Sequence, residues 1–114
     1  MFALYNATTG RLVAAHVRRA DGFFERAVGL LPKRAVAPGE GLWFDGCSAI
    51  HTMGMRATID VIFLDREGHV LREVELARPW RALIACRGAH AVVELGAGAL
   101  RANDIALGDR LALK

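Results

Sequence analysis

Along most of the chain, apolar and polar residues alternate with the two-residue period of β-strands, broken at short intervals by Gly, Pro, Asn and Asp. Leu4–Asn6 and Arg11–Val17 flank Ala7-Thr8-Thr9-Gly10, which predicts an N-terminal hairpin. Thr58–Leu64, TIDVIFL, is β-branched and apolar almost throughout, the pattern of a strand buried on both faces. Asp65-Arg66-Glu67-Gly68 reads as a type I turn with Gly at the left-handed position. It closes a hairpin onto a return strand over His69–Leu76, with Val70, Val74 and Leu76 on one face and Leu71, Glu73 and Glu75 on the other. Shorter strands are predicted over Leu42–Phe44, Ser48–Met53, Arg81–Cys86, Ala91–Leu95 and Arg110–Leu113.

One segment carries the helical period instead. Over Asp21–Leu31, Phe23, Phe24, Ala27, Val28 and Leu31 share a face, Asp21 can accept the first free backbone N–H bonds, and Pro32 ends the run. Phe24, Val28 and Leu31 are expected to pack this helix onto the sheet. A second, single helical turn is predicted near 97–102, with Leu100 inward. Hairpins dominate, and no alternating strand–helix rhythm asks for a parallel sheet. The expected fold is therefore one mainly β (α+β) domain over 1–114, an antiparallel barrel or sandwich with one substantial helix.

Composition narrows the function. The chain has a net charge of +3, but its arginines are scattered and twelve carboxylates are interleaved with them. A nucleic-acid footprint would be a run or a one-faced stripe, so no nucleic acid is expected as partner. No stretch approaches the roughly 20 apolar residues of a membrane helix, so no membrane partner is expected either. The N-terminal stretch lacks the charged start and long apolar core of a signal peptide, which points to a cytoplasmic protein with reduced cysteines. No Gly-rich phosphate cradle is present, and no cofactor is implied.

Candidate chemistry gathers in Cys47–Asp65, CSAIHTMGMRATIDVIFLD. Together with Arg26-Ala27-Val28-Gly29-Leu30-Leu31 and Arg34, Gly41-Leu42-Trp43-Phe44, Glu94-Leu95 and Gly108-Asp109-Arg110-Leu111, this stretch resembles the domain-of-unknown-function 192 family over roughly residues 12 to 113. The resemblance implies a mainly β, jelly-roll-like fold and no established activity. His51 stands where the common form of the family's motif has Trp, Gly54-Met55 where it has Asn-Thr, and Thr58 where it has Pro, whereas Asp60 matches. The chain thus resembles a His-Thr-x-Gly-Met-Arg variant of the family, and roles of the Trp or the Asn-Thr do not carry over.

His51 is a candidate general base or metal ligand; the alternative is a half-buried His bonded to backbone. Asp60, in an apolar strand, either orients His51, pairs with Arg56 or accepts backbone N–H bonds. With Thr52, Gly54, Met55 and Arg56 they make a candidate ligand site, an apolar wall carrying few polar groups. Cys47, His51, Cys86 and His90 offer N and S donors, although their spacing is not that of familiar zinc modules, so no metal is assigned. Trp80, between Arg78 and Arg81, either stacks on a ligand or an arginine or covers a barrel end. Two readings remain. One is a non-enzymatic accessory module binding a small molecule or protein; the other is a hydrolase or other small-molecule enzyme using His51 and Asp60.

Overall fold

The computed structural model describes residues 1–20, 36–53 and 55–114. Their elements run β1 (Phe2–Asn6), β2 (Arg11–Ala20), β3 (Glu40–Asp45), β4 (Ala49–Ile50), β5 (Ile59–Leu64), β6 (Val70–Ala77), β7 (Ile84–Ala85), β8 (Ala91–Gly96), α1 (Ala99–Ala102) and β9 (Leu111–Leu113). The helix expected over Asp21–Leu31 lies outside the described residues, and α1 is a single turn with Leu100 buried.

Seven strands form one sheet in the order β6-β5-β8-β3-β2-β1-β9, while β4 and β7 make a separate two-stranded ribbon. This differs from the two packed layers of a jelly roll or sandwich. It also corrects the expectation of an antiparallel fold throughout: β2 and β3 pair in parallel, from His16 opposite Glu40 to Ala20 opposite Phe44. A parallel pair needs a crossover of a dozen or more residues, and the connection through residues 21–39 is long enough.

The sheet curls into a half-barrel. At one end its two edges meet through the bridge between His69 and Arg110. The Val70 N–H donates to the Asp109 carbonyl at 2.8 Å and the Leu111 N–H to the Gly68 carbonyl at 2.9 Å. Gly68 ends the β5–β6 turn at φ 94°.

Curling divides the apolar residues into two clusters. Ile62, Leu64, Val93 and Leu95 face the inside of the curl with Leu4, Val17, Leu100 and Leu111. Ile59, Val61, Phe63 and Val92 face the other side, where Ile50 of β4 and Ile84 of β7 cover them. Every residue of β5 and β8 is consequently buried. The expected alternation in β6 fails twice. Phe63 pairs with Arg72 but Leu64 with Val70, so the register slips at Leu71 and Val70 joins the inner cluster while Val74 packs on the outer one. Ile59 pairs with Ala77 but Val61 with Val74, so two residues of β6 oppose Asp60 alone. In the second bulge Leu76 turns outward, 55% exposed at φ 54°.

Candidate ligand site

The site is built around Thr52, which is fully buried between two connections. Its N–H donates to the Arg81 carbonyl at 2.9 Å, and its own carbonyl accepts the N–H of Trp80 at 2.8 Å and of Met55 at 3.2 Å. Its hydroxyl donates to the Arg78 carbonyl at 2.7 Å and accepts the Arg81 N–H at 2.8 Å. Four of these hydrogen bonds clasp the Arg78-Pro79-Trp80-Arg81 turn onto the segment after β4, and the fifth, from Met55, closes that segment on itself. Pro79 keeps Arg78 extended. Trp80 is held at φ 68°, a conformation that costs an L-residue roughly 1–3 kcal/mol. Its side chain remains 65% exposed.

The clasp shapes an open depression of about 760 Å³ lined by Met55, Arg56, Thr58, Arg78, Pro79 and Trp80. Met55 belongs at once to this lining and to the apolar cluster beneath it. Of the six residues singled out from sequence, only Met55 and Arg56 line the depression, and Gly54 lies outside the described residues. Thr52 acts from behind as the cross-link. His51 is half-buried, and its Nδ1 accepts the N–H of Met53 at 3.2 Å.

Asp60 is fully buried, and both carboxylate oxygens are engaged by backbone. Oδ1 accepts the Leu76 N–H at 2.9 Å, fixing the bulge of β6, and Oδ2 accepts the Leu100 N–H at 2.9 Å, fixing the first turn of α1. The carboxylate is therefore bonded neither to His51 nor to Arg56. Sequence reasoning passed over Thr58 and Pro79, and it weighed Arg78 only as a neighbour of Trp80. The available signal was the Arg-Pro-Trp-Arg interruption of a strand pattern.

The β4–β7 ribbon brings the backbones of Cys47, Cys86 and His90 near one another, since the Cys86 N–H donates to the Ser48 carbonyl and the Cys47 N–H to the His90 carbonyl. Their donor atoms do not converge. The Cys47 thiol donates to the Ala49 carbonyl at 3.0 Å, and both thiols are free. Among the described residues, the group of three donor atoms mutually within 4.8 Å is Asp65, Glu67 and His69, in the β5–β6 turn. There, partial burial pushes the Asp65 carboxyl up. N–H bonds from His69 and Glu67, the His69 imidazole and the Gly68 N–H outweigh it and hold the group below its usual 3.8.

Comparison with known proteins places this arrangement in a family. Residues 4–113 match the model of the domain-of-unknown-function 192 family, described as an uncharacterized ACR. A UPF0127 protein of Pyrococcus furiosus is 32% identical over 111 residues, covering 95% of each chain. A UPF0127 protein of Thermococcus sibiricus is 32% identical over 115 residues, covering 95% of this chain and 72% of that one. Among solved structures, a putative transcription regulator from Sinorhizobium meliloti superposes with a TM-score of 0.80 at 29% identity, covering 98% of this chain and 91% of that one. A protein of unknown function from Novosphingobium aromaticivorans has a TM-score of 0.81 at 21% identity, covering 98% of this chain and 84% of that one, and so shares the fold. The chain belongs to the domain-of-unknown-function 192 family of uncharacterised proteins, which includes the UPF0127 proteins.

Proposed function

We propose that the protein is a non-enzymatic binding module that takes a small molecule in the depression between Arg56 and Trp80. The observation that carries this reading is the outward Trp80. Backbone strain of this kind persists only where the surroundings over-determine it, and it gathers at ligand sites. Here four bonds with one buried threonine hold a strained turn that presents an exposed Trp80 in the same depression as Arg56 and Arg78. The volume of about 760 Å³ is within the range of small-molecule clefts. The enzyme reading needs Asp60 to serve His51, whereas its oxygens serve the Leu76 and Leu100 N–H groups. Free thiols agree with a cytoplasmic setting, which is part of the proposal.

The test is a fragment screen by NMR on isotope-labelled protein. Trp80 is the reporter, and the Trp43 indole, which donates to Asp45 at 2.9 Å on β3, is the internal control. Ligands should shift the Trp80 indole together with Met55, Arg56 and Arg78 and leave Trp43 in place. Hits that map elsewhere, or a screen without hits, would refute the reading.

A further inference from the structure

Resting on that reading, we infer the class of ligand: an anion, carboxylate or phosphate in character, joined to a flat or aliphatic apolar body. Two connections make the depression, residues 46–58 between β3 and β5 and residues 78–90 between β6 and β8. Together they contain Arg56, Arg78, Arg81 and Arg87 and not one Asp or Glu. The rest of the chain then has eleven Lys or Arg against twelve carboxylates, so the whole positive surplus of this protein belongs to the two stretches that meet at Thr52. The surplus thus falls in two stretches, distant in sequence, that Thr52 joins.

The arginines of the lining are also uncommitted. Elsewhere Arg19 pairs with Asp45 and Arg101 with Glu75, and Arg11 and Arg72 donate to the carbonyls of Ala102 and Ala85. Among the described residues, neither Arg56 nor Arg78 has a carboxylate or a carbonyl partner. Each guanidinium is exposed and offers a planar fork of donors that matches a carboxylate or phosphate. Among the described residues of the lining, a cationic ligand would meet two positive charges and no counter-charge.

The remaining lining selects the body of the ligand. Trp80 and Pro79 give apolar surface in the same lining as the two arginines, and Met55, nearly buried, ties that lining to the core. An inorganic ion alone would leave that surface unused. A long polyanion would need a stripe of cations continuing away from the depression, and beyond these two stretches acids outnumber bases.

Naphthoate and naphthamide, which share a ring and differ in charge, test the assignment by titration against the Trp80 indole signal. Naphthoate should bind at least about tenfold more tightly, the worth of one charge-assisted hydrogen bond. Arg56→Gln and Arg78→Gln should each reduce that preference, weakening naphthoate more than naphthamide, and the double variant should abolish it. Both positions are exposed, so the variants should fold, which their amide spectra will show. Equal affinity for the two probes would overturn the anion assignment and leave the binding reading standing. Absence of any saturable shift at Trp80 would overturn both. Oligothymidylate or anionic phospholipid vesicles that bind at Trp80 while naphthoate fails to compete would also overturn the assignment, in favour of a macromolecular polyanion.

Discussion

Thr52→Val tests the clasp most directly. The replacement keeps the side chain's size and removes its hydroxyl, and with it the bond donated to the Arg78 carbonyl at 2.7 Å and the bond accepted from the Arg81 N–H at 2.8 Å. Each such bond contributes about 1 kcal/mol net, and a partner left buried without water costs up to about 3 kcal/mol. Arg78 and Arg81 are exposed residues, so water can reach the freed groups in part, and the low end of the range applies. The expected loss is about 1.5–3 kcal/mol in urea unfolding.

That loss is the same size as the roughly 1–3 kcal/mol stored in the left-handed Trp80 backbone. The two backbone bonds that remain, Thr52 N–H to Arg81 and Trp80 N–H to Thr52, are expected to leave the turn intermittently open. Trypsin cleavage after Arg81, followed by mass spectrometry, should accelerate in the variant under native conditions. Thr52→Ser retains the hydroxyl and should behave like the parent in the protease assay. A loss below about 0.5 kcal/mol with unchanged cleavage after Arg81, or Ser behaving like Val, would refute the clasp.

Three further outcomes follow from the buried framework. Asp60→Asn replaces one acceptor oxygen by a donor, so one of the bonds from the Leu76 or Leu100 N–H must fail; urea unfolding should show a loss of about 2–4 kcal/mol, and a neutral result would deny the carboxylate its double role. Gly68→Ala places a Cβ 2.6 Å from the Leu111 carbonyl oxygen at a residue with φ 94°; a loss of about 2–4 kcal/mol is expected, and tolerance would mean that the corner joining the sheet edges is loose. Glu73 is pushed above its usual 4.5 first by burial and then by Glu75, Asp109 and Asp60. Its ionisation therefore opposes folding: stability is greatest below 4.5 and falls as pH rises through the elevated folded value. Glu73→Gln should raise the thermal midpoint at neutral pH, with the difference vanishing on acidification below 4.5, and a difference independent of pH would contradict this.

The strands were legible because each is written locally. TIDVIFL announces burial on both faces by composition alone, and β5 is buried throughout. Pairing partners are not written locally. The parallel neighbours β2 and β3 are joined through residues 21–39, and no residue type in either strand declares the direction of its neighbour. Leu76 shows a second limit. A strict two-residue period assigns it inward, but one inserted residue reverses every following assignment, and the bulge is fixed by Asp60, sixteen positions earlier.

The candidate site was legible as a region and not as a set of roles. Thr52 and Asp60 stand out in sequence because they are polar among apolar neighbours, and that same contrast describes a ligand group and a buried cross-link equally well. Which one applies depends on backbone atoms 26 to 40 residues away, the Arg78 carbonyl for Thr52 and the Leu100 N–H for Asp60. Trp80 drew less weight because an aromatic between Arg78 and Arg81 reads equally well as the cover of a barrel end. The absence of acids from 46–58 and 78–90 gains meaning only once the fold brings the two stretches together.

These assignments form one causal chain. Asp60 fixes the bulge at Leu76, and the bulge returns Ala77 to register opposite Ile59 at the end of β6. From that fixed point the chain leaves the sheet as Arg78-Pro79-Trp80, where Thr52 captures it. The buried polar residues of the motif bond to backbone and so decide where the exposed ones stand. Substitution should separate the two groups. Changes at Asp60 and Thr52 should lower stability and disturb binding only through the lost position of Trp80. Changes at Arg56 and Arg78 should leave unfolding unaltered and act on ligand affinity alone. A variant of Arg78 as destabilising as Thr52→Val would break this division, because it would make the guanidinium part of the framework instead of part of the site.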